Sequence, residues 1–481
     1  MDTTRRRERG GEPRLIQGGM GVGISSWQLA AEVARRGQMG VVSGTALEIV
    51  HARRLQLGDP GGHLRRAFEH FPVPAIAKRV LDRYYISGGK GADEPYRSAP
   101  MYTLPPATAL QELSVVTNFA EVWLAKEAAG GGLIGINYLR KIELPLPTAM
   151  FGAVLAGVDY VIVGAGNPDQ IPPLLTKLAR GDDVALDIKV QYAGADDRFQ
   201  VEFSPRALMG PSLEPKPRPR MIAIVASVGL ARALAHTADE PPDGFVIEGP
   251  TAGGHNAPPQ GPVRLDDEGQ PIYGQLDVVD LREIQRLGLP FWLAGGYGSA
   301  ERLRAALSDG AAGIQVGTAF AFCRESGLAS DLKARILRRV IDGEASVFTD
   351  PRASPTGFPF KVVGLPGTLS ENDVYASRRR ICDLGYLRCP YKSAQGRVGY
   401  RCPAEPEAIF VHKQRRPPNT QGRKCLCNAL VANIGLGQVR AGGHEEPALV
   451  TSGDDLGGVA RFLPEGATSY GAADVMARIL G

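Results

Sequence analysis

Two neighbouring segments decide the fold of this chain: Phe291-Trp-Leu-Ala-Gly-Gly-Tyr-Gly-Ser299 and Gly313-Ile-Gln-Val-Gly-Thr-Ala-Phe320. Each begins with a short apolar run of strand length and passes directly into a glycine-bearing turn. Strand-to-helix turns of this kind lie at the carboxyl edge of a parallel sheet. The two segments therefore predict two consecutive βα units.

The same rhythm extends over residues 13–340, where short Val/Ile-rich segments alternate with amphipathic stretches of helical length. Such alternation is typical of repeated βα units and a parallel sheet. Eight units predict an α/β fold, a (β/α)₈ TIM barrel over residues 13–344. The predicted strands are Arg14–Gln17, Met39–Ser43, Leu133–Tyr138, Tyr160–Val163, Met221–Ala226, Gly244–Ile247, Pro290–Ala294 and Gly313–Val316.

Two insertions interrupt this rhythm. Residues 45–112 are far longer than a crossover needs, which predicts a lid segment. Residues 184–219 begin with two strand-like runs, Val184–Val190 and Phe199–Phe203, which predict a β-hairpin before the fifth strand. The alternative counts the first of these runs as a ninth strand, which would favour an open, doubly wound sheet.

Capping residues predict where two of the helices begin. Ser25 and Ser26 precede an apolar-periodic run that closes at Gly37, so they are candidate N-caps. Asn118 is interpreted in the same way, as the residue before a helix over Phe119–Ala129 that a glycine run ends.

Length and composition limit the classes of function. With 481 residues, 43% of them hydrophobic, the chain can form one large core and an accessory region. A formal charge of +4 provides no broad basic field for nucleic acid. No apolar run reaches the roughly 18 to 20 residues of a membrane-spanning helix, so a cytoplasmic protein is predicted. Residues 1–12 are interpreted as a disordered basic tail, and residues 345–481 as a C-terminal extension rich in Cys and Arg.

Three glycine-rich loops are candidate cofactor contacts. The first, Gln17–Gly23, follows the first strand, and its missing side chains let backbone N–H groups approach a flat ring or a phosphate. The others, Ala294–Ser299 and Val316–Phe320, follow strands seven and eight. In barrels these two positions commonly form a phosphate site at the N-terminus of a short helix. The pair therefore indicates a phosphorylated cofactor.

The segment Phe245–Asn256, FVIEGPTAGGHN, carries the candidate catalytic residue. A strand runs into the glycine pair Gly253-Gly254 and then into His255, so an imidazole is expected over the barrel mouth. Histidine titrates near neutral pH, which suits it to take a proton from a carbon acid. The other six histidines are interpreted as surface or packing residues.

Four motifs in this order carry a family resemblance: Gln17–Met20, Ala252–His255, Ala294–Gly296 and Gln315–Thr318. Together they resemble the nitronate monooxygenase family, formerly called 2-nitropropane dioxygenases, which also includes flavin-dependent enoyl-thioester reductases. The resemblance covers residues 13–340 and implies a TIM barrel with non-covalent FMN and His255 as the catalytic base. It also implies cofactor contacts at Gln17, Gly18, Gly19, Met20, Asn137, Gly253, Gly254, Gly295, Gly296, Gly317 and Thr318.

Within that resemblance the loops have separate roles. The pairs Gly295-Gly296 and Gly317-Thr318 would hold the FMN phosphate, the first loop would lie against the isoalloxazine, and Asn137 would contact the flavin. Two departures leave the substrate open. The first loop reads Gly18-Gly19-Met20 where many members have Ala-Pro-Met, and Asn256 stands where arginine often follows the histidine.

The extension resembles longer members of the same superfamily, which are associated with polyketide and polyunsaturated fatty acid synthesis. Its cysteines fit no standard zinc ribbon or finger, so they are predicted to be structural or free thiols without a metal, with a zinc site as the alternative. Its arginine runs, Arg378–Arg380 and Arg415–Arg416, are interpreted as solvated faces, with an acidic carrier protein as the alternative partner. The cysteines in question are Cys382, Cys389, Cys402, Cys425 and Cys427.

Three hypotheses about function result. The first is FMN-dependent oxidation of alkyl nitronates with dioxygen, giving carbonyl compounds and nitrite. The second is NAD(P)H-dependent reduction of an enoyl thioester through FMN, and the third is a non-catalytic flavoprotein subunit of a biosynthetic complex. The expected partner is a small-molecule substrate, joined in the second case by an acyl carrier protein; no nucleic acid or membrane is expected, and a homodimer stays open.

Overall fold

Eight parallel strands form a closed barrel in the computed structural model, which describes residues 11–236, 238–413, 420–440 and 443–481. Neighbouring strands pair in parallel, and the first strand also pairs with the eighth, with Gln17 beside Val316. A bridge between Ile16 and Met39 joins the first strand to the second and closes the circle. The strands are Leu15–Gln17, Gly40–Ser43, Ile134–Leu139, Tyr160–Gly164, Arg220–Val225, Gly244–Glu248, Phe291–Ala294 and Gly313–Val316.

The prediction of a (β/α)₈ barrel is therefore confirmed, with all eight strands at the predicted places. The segment that could have been a ninth strand pairs elsewhere: Val184–Asp187 and Gln200–Phe203 form an antiparallel hairpin of their own. Their alternating burial shows why, because one face of the hairpin is exposed, whereas barrel strands are buried on both faces.

Apolar side chains fill the barrel and the layer between strands and helices. Inside the barrel, Ile162, Ile222, Val246 and Trp292 pack with their neighbours from other strands. The outer layer consists of the helices Trp27–Arg35, Thr108–Ala129, Leu146–Leu155, Ile171–Arg180, Val228–His236, Leu281–Gln285, Ala300–Ser308, Thr318–Ala321 and Ser330–Ile341.

One predicted helix start is confirmed and one is wrong. Ser26 caps the first helix, and its hydroxyl accepts a hydrogen bond from the N–H of Leu29. Asn118 does not cap a helix, because the helix begins at Thr108 and Asn118 lies in its middle. The Asn118 amide instead donates to the carbonyl of Ser114 and accepts from the Tyr138 hydroxyl, which satisfies a polar side chain inside a buried helix.

The first insertion forms a side layer on the long helix Thr108–Ala129. Its helices are Leu47–Gln56, His63–Glu69 and Pro74–Tyr84, and all three contact that long helix. A fully buried pair fastens the layer, since the His51 Nε2 atom lies 2.7 Å from a carboxylate oxygen of Glu121. The second insertion adds, after the hairpin, the short helix Pro205–Met209.

The extension begins with small β-hairpins, and its last helix packs against helices of the barrel. The Tyr470 hydroxyl donates to the carbonyl of Ala319, and the last helix packs against the helices Trp27–Arg35 and Ala300–Ser308. Its strands pair as Val347–Asp350 with Phe360–Val363, Cys389–Lys392 with Val398–Arg401, and Val439–Arg440 with His444–Glu445. Its helices are Asn372–Ser377, Glu407–Lys413, Leu426–Ala432 and Ala472–Leu480.

Two sequence interpretations need correction. Glu12 was expected in a disordered tail, yet its carboxylate pairs with Arg220 at 2.7 Å. Arg378 is not part of a solvated face, because its side chain is buried in an ion pair with buried Glu446. Residues 1–10 and the pair Arg415–Arg416 lie outside the described residues. In the described part of the chain, no helix has the length and apolarity needed to cross a bilayer.

Candidate active site

A cavity of about 540 Å³ opens at the carboxyl ends of the barrel strands. That volume is in the range of small-molecule and cofactor sites. Of the first insertion, only Thr45 and Ala46 line it among the described residues, whereas several segments of the extension do. The predicted site residues that line it are Gly18, Gly19, Met20, Asn137, Gly253, Gly254, His255, Gly295, Gly296, Gly317 and Thr318.

Gln17 is the predicted site residue that does not line the cavity. Its side chain is buried below the first loop, where the amide donates to Ser25 Oγ and accepts from the N–H of Val41. Ser25 Oγ in turn accepts from the N–H of Met20. Gln17 therefore fixes the shape of the first loop from behind.

The first loop packs closely against the third strand. A Cβ atom on Gly19 would lie 2.2 Å from the Asn137 side chain, so only glycine fits at that position. The Asn137 amide donates to the Gly19 carbonyl, while its Oδ1 atom is buried with no protein partner. The Oε1 atom of Gln315, at the cavity wall, is also buried and unpaired. These two acceptors suit a flat ligand that carries N–H groups.

The loops after strands seven and eight also line the cavity. Gly295 and Gly296 adopt φ angles of +89° and +73°, which favour glycine. Thr318 begins the short helix that follows the eighth strand, as predicted, and its hydroxyl accepts from the N–H of Gly453. Asp455, from the same part of the extension, also interacts with Thr318, and burial raises the pKa of its carboxyl group.

His255 is held by the extension rather than by the barrel. Its Nε2 atom lies 2.7 Å from Ser354 Oγ, and its ring meets the edge of Phe360. Burial, together with the nearby charge of Lys141, holds the pKa of His255 well below its usual range. The imidazole is therefore neutral at pH 7, which is the form that can accept a proton.

Two further ionisable groups, which the sequence analysis did not identify, stand near this histidine. Glu248 ends the sixth strand and lines the cavity, and burial raises its pKa to about 7. Lys141 follows the third strand, and burial lowers its pKa to about 7, partly offset by Glu248. The Lys141 Nζ atom is buried without a hydrogen-bond partner. The position of Glu248 at the end of a barrel strand was the available signal, because such positions face the site, whereas Lys141 does not line the cavity.

The observed surfaces fit a flavin mononucleotide. The glycine at position 19 and the unpaired amide oxygens provide a flat polar wall, and the loops at Gly295-Gly296 and Thr318 provide backbone for a phosphate. The imidazole of His255, in the loop after the sixth strand, lines the same cavity. Asp455 is the feature that opposes an anion, and its raised pKa reduces that opposition.

Comparison with known protein families finds a match over one segment of the chain. Residues 218–349 match the family model described as "Nitronate monooxygenase", a segment that includes His255 and the two phosphate-type loops. The barrel and its site define the class as flavin-dependent oxidoreductases. The resemblance to the nitronate monooxygenase family seen in the sequence is therefore confirmed over that segment.

Curated relatives cover part of the chain. A 5-hydroxy-7a-methyl-1-oxo-octahydro-1H-indene-4-carboxyl-CoA dehydrogenase from Mycobacterium tuberculosis is 26% identical over 218 residues, 44% of this chain and 57% of that protein. The Rhodococcus jostii protein of the same name is 30% identical over 118 residues, 24% of this chain and 29% of that protein. The match thus spans little more than half the length of the first relative.

Solved structures with a similar course of the chain include FabK from Thermotoga maritima, with 16% identity and a TM-score of 0.47 over 98% of this chain and 92% of that one. A nitroalkane oxidase from Streptomyces ansochromogenes has 15% identity and a TM-score of 0.47 over 97% of this chain and 94% of that one.

Proposed function

We propose that this protein is an FMN-dependent nitronate monooxygenase that oxidises alkyl nitronates with dioxygen to carbonyl compounds and nitrite. The observation that carries the proposal is a neutral, half-buried imidazole in a cavity whose walls also suit a flavin ring and a phosphate. When bound, the FMN supplies the electron transfer between substrate and dioxygen. The remaining chemistry belongs to side chains of this protein.

The first and last loops would hold the cofactor. The ring would lie against Gly19 and meet the unpaired acceptors of Asn137 and Gln315. The phosphate would meet backbone N–H groups of the loops at Gly295-Gly296 and at Thr318. Gly295 has little room for a side chain, since a Cβ atom there would lie 2.9 Å from Thr251 Oγ1.

His255 acts on the proton of the α-carbon when the substrate is a neutral nitroalkane. Ser354 Oγ accepts a hydrogen bond from the N–H of Thr356, so it can also accept one from the His255 Nε2–H group. That arrangement leaves Nδ1 with the lone pair that takes up the proton. A preformed nitronate has already lost this proton and needs the imidazole less.

Lys141 and Glu248 supply adjustable charge beside the histidine. The Lys141 Nζ atom lies 4.5 Å from the centre of the Phe358 ring, which lines the cavity, so protonated Lys141 would stabilise a nitronate through its nearby charge. Glu248, which titrates near the same pH, would compensate that charge when no anion is bound.

The test is oxygen uptake by the purified protein with propyl-2-nitronate, in the absence of NAD(P)H. We expect a bound chromophore with the absorption of oxidised FMN, and nitronate-dependent uptake of oxygen with formation of nitrite. A colourless protein that takes up no added FMN at micromolar concentration would contradict the cofactor. A yellow protein without nitronate-dependent oxygen uptake would contradict the reaction alone.

A second candidate is oxidation or reduction of a thioester-linked substrate. The names of both curated relatives specify a carboxyl-CoA substrate. The loop that follows the sixth strand also lines the cavity through Gln260 and Tyr273, and it exposes large apolar side chains that suit a bulky acyl group. They are Val263, Leu265, Ile272, Leu276 and Val278.

The two candidates separate in one parallel assay. NADPH consumption with crotonyl-CoA, measured without oxygen, would support reduction of an enoyl thioester. An acyl carrier protein is then the proposed donor of the acyl chain in the cell. Oxygen uptake with the nitronate and no NADPH consumption would remove this second candidate.

A further inference from the structure

One side of the cavity is lined by a helix of the extension, Leu426–Ala432. The residues of this helix that line the cavity are Leu426, Cys427 and Leu430, and Asn433 lines it just after the helix ends. Leu426, Leu430 and Asn433 are spaced by four and three residues, so they lie on one face. The helix therefore presents mainly apolar side chains to the cavity.

The opposite face of this helix is packed into the extension. Asn428, Ala429 and Val431 are buried and do not line the cavity. The Asn428 amide also donates to the carbonyl of Ile381 at 3.0 Å. The back of the helix is thus fastened, and the face with Leu430 stays directed at the cavity.

Two apolar clusters of the extension meet at this helix. Tyr386 and Leu430 are half-buried, and each packs against both clusters. Both residues line the cavity, so part of their apolar surface is available to a ligand there. We call the cavity-lining side chains that the extension contributes to these clusters the apolar wall; it consists of Phe360, Leu384, Tyr386, Leu387, Leu426 and Leu430.

The apolar wall adjoins the proposed base. The ring centroids of His255 and Phe360 are 4.8 Å apart. Phe360 in turn shares a buried cluster with Leu387 and Leu426. A substrate whose α-carbon meets His255 therefore has its substituent next to the apolar wall.

The apolar wall also adjoins the barrel loops at the proposed flavin ring. Ile142, after the third strand, belongs to the cluster of Phe360, and Val22, in the first loop, belongs to the cluster of Leu384. Both residues line the cavity. The polar partners that suit the ring, Asn137 and Gln315, belong to the barrel strands instead. The apolar wall is thus left for another part of the reacting complex.

The apolar wall offers no charged partner to a substrate. In the part of the chain that the structure describes, the acidic side chains lining the cavity are Glu248, Asp277 and Asp455, which belong to other segments. The Tyr386 hydroxyl, the polar atom of the wall, is itself buried. A polar substituent would lose its hydration here without compensation. Each methylene group of an alkyl substituent would instead gain about threefold to fourfold in affinity.

We propose that the apolar wall binds the alkyl substituent of the substrate, and that the preferred substrates are nitronates of medium-length, unbranched alkyl chains. This inference rests on the proposed function and specifies its substrate class. Leu426 and Leu430 lie roughly 6 Å apart along the helix axis, as residues one turn apart do. The compact group of propyl-2-nitronate covers little of this length, whereas a longer unbranched chain covers both leucines.

The dependence of kcat/KM on chain length tests this proposal on the full-length flavoprotein. The substrates are the nitronates of nitroethane, nitrobutane, nitrohexane and nitrooctane. We expect kcat/KM to rise about threefold to fourfold per methylene group until the wall is covered. In Leu430→Asn this gain should fall to about twofold or less per methylene group.

Ile434→Asn is the matched control for Leu430→Asn. Ile434 is also half-buried and packs against the same cluster as Leu384, but it does not line the cavity. This variant should keep the gain per methylene group of the wild type. An equal loss in both variants would show that the effect does not come from the apolar wall, and would overturn the proposal.

Leu430→Trp keeps the proposal testable if Leu430→Asn fails to fold. Its side chain is apolar but larger, so it takes up space along the wall. The chain length with the highest kcat/KM should then move to a shorter nitronate. An unchanged optimum would contradict binding of the chain at Leu430.

Calorimetric titration with alkyl carboxylates, from butanoate to decanoate, measures the apolar wall without turnover. A carboxylate is a planar anion with two oxygens, as a nitronate is. Affinity that rises with chain length while no nitronate is oxidised would contradict the proposed reaction and support the wall. Affinity and kcat/KM that are independent of chain length would overturn the wall, even with short nitronates oxidised. Weaker FMN binding in Leu430→Asn with an unchanged gain per methylene group would assign the wall to the flavin ring and also overturn the proposal.

Discussion

The barrel and the extension contribute to one cavity in different ways. The barrel supplies the backbone surfaces for the cofactor, at loops fixed by consecutive strands. The extension supplies contacts that orient what the barrel presents, through Ser354 at His255 and Gly453 at Thr318. The difference teaches that the repeated units create the site and that the extension adjusts its chemistry. Substitutions in the barrel and in the extension separate these contributions, and the expected effects decrease from His255 to Asp455.

Replacing His255 with alanine removes the chemical group that the barrel presents. Turnover of a neutral nitroalkane should fall about 10²- to 10⁴-fold, the usual contribution of a general base. Turnover of the preformed nitronate should fall far less, because its α-proton is already gone. Steady-state oxygen uptake with both substrates checks this. Equal losses for both would mean that His255 binds or positions the substrate instead.

Replacing Gly296 with valine should weaken FMN binding at the loop after the seventh strand. The φ angle of +73° costs a β-branched residue about 1 to 3 kcal/mol, and the side chain would crowd the phosphate. FMN affinity, measured by fluorescence titration, should fall roughly 10- to 100-fold by the same energy. Gly288→Val is the matched control, since Gly288 also has a positive φ angle but lies outside the cavity. Similar FMN loss in both would indicate general destabilisation.

Replacing Ser354 with alanine tests the extension alone. The His255 ring loses its oriented hydrogen bond but remains in place, so kcat for the neutral nitroalkane should fall roughly tenfold, as for other supporting hydrogen bonds. KM should change little, and the kcat–pH profile should shift. Ser354→Thr should restore part of the rate. Unchanged kcat and pH profile would show that the extension does not orient the base.

The charge of Lys141 should appear as a pH dependence of nitronate binding. Its pKa of about 7 means that the amine is charged below that pH and neutral above it. KM for a nitronate should therefore rise several-fold between about pH 6 and pH 8, consistent with the loss of a nearby positive charge. Lys141→Met should give a high KM that varies less with pH. A KM that falls with rising pH would have the wrong sign.

Asp455 should produce the smallest effect and belongs to the extension. Its carboxylate lies beside Thr318, so Asp455→Asn should tighten FMN binding about two- to fivefold by removing a negative charge near the phosphate. Because the pKa of this carboxyl is raised, FMN affinity of the wild type should decrease as pH rises through it, and the variant should show no such decrease. Weaker binding in the variant would mean that Asp455 supports the site.

Sequence patterns could predict the barrel and most of its cavity, since strand period and glycine turns are local signals. Glu248 lies in the same segment as His255, Phe245–Asn256, but its raised pKa depends on burial that only the fold creates. Ser354 is 99 residues from His255, and no local pattern connects them. The prediction that Asn118 caps a helix was wrong because asparagine can also form hydrogen bonds inside a helix. Here its side chain accepts a hydrogen bond from the Tyr138 hydroxyl.

The hydrogen bond from the Gly453 N–H to the Thr318 hydroxyl affects the order in which parts of the site form during synthesis. The barrel strands all precede this residue in the chain, and each could pair as it leaves the ribosome. The eighth loop, however, gains its hydrogen bond only after synthesis has passed Gly453. The eighth loop therefore has its full set of hydrogen bonds only once the extension is in place.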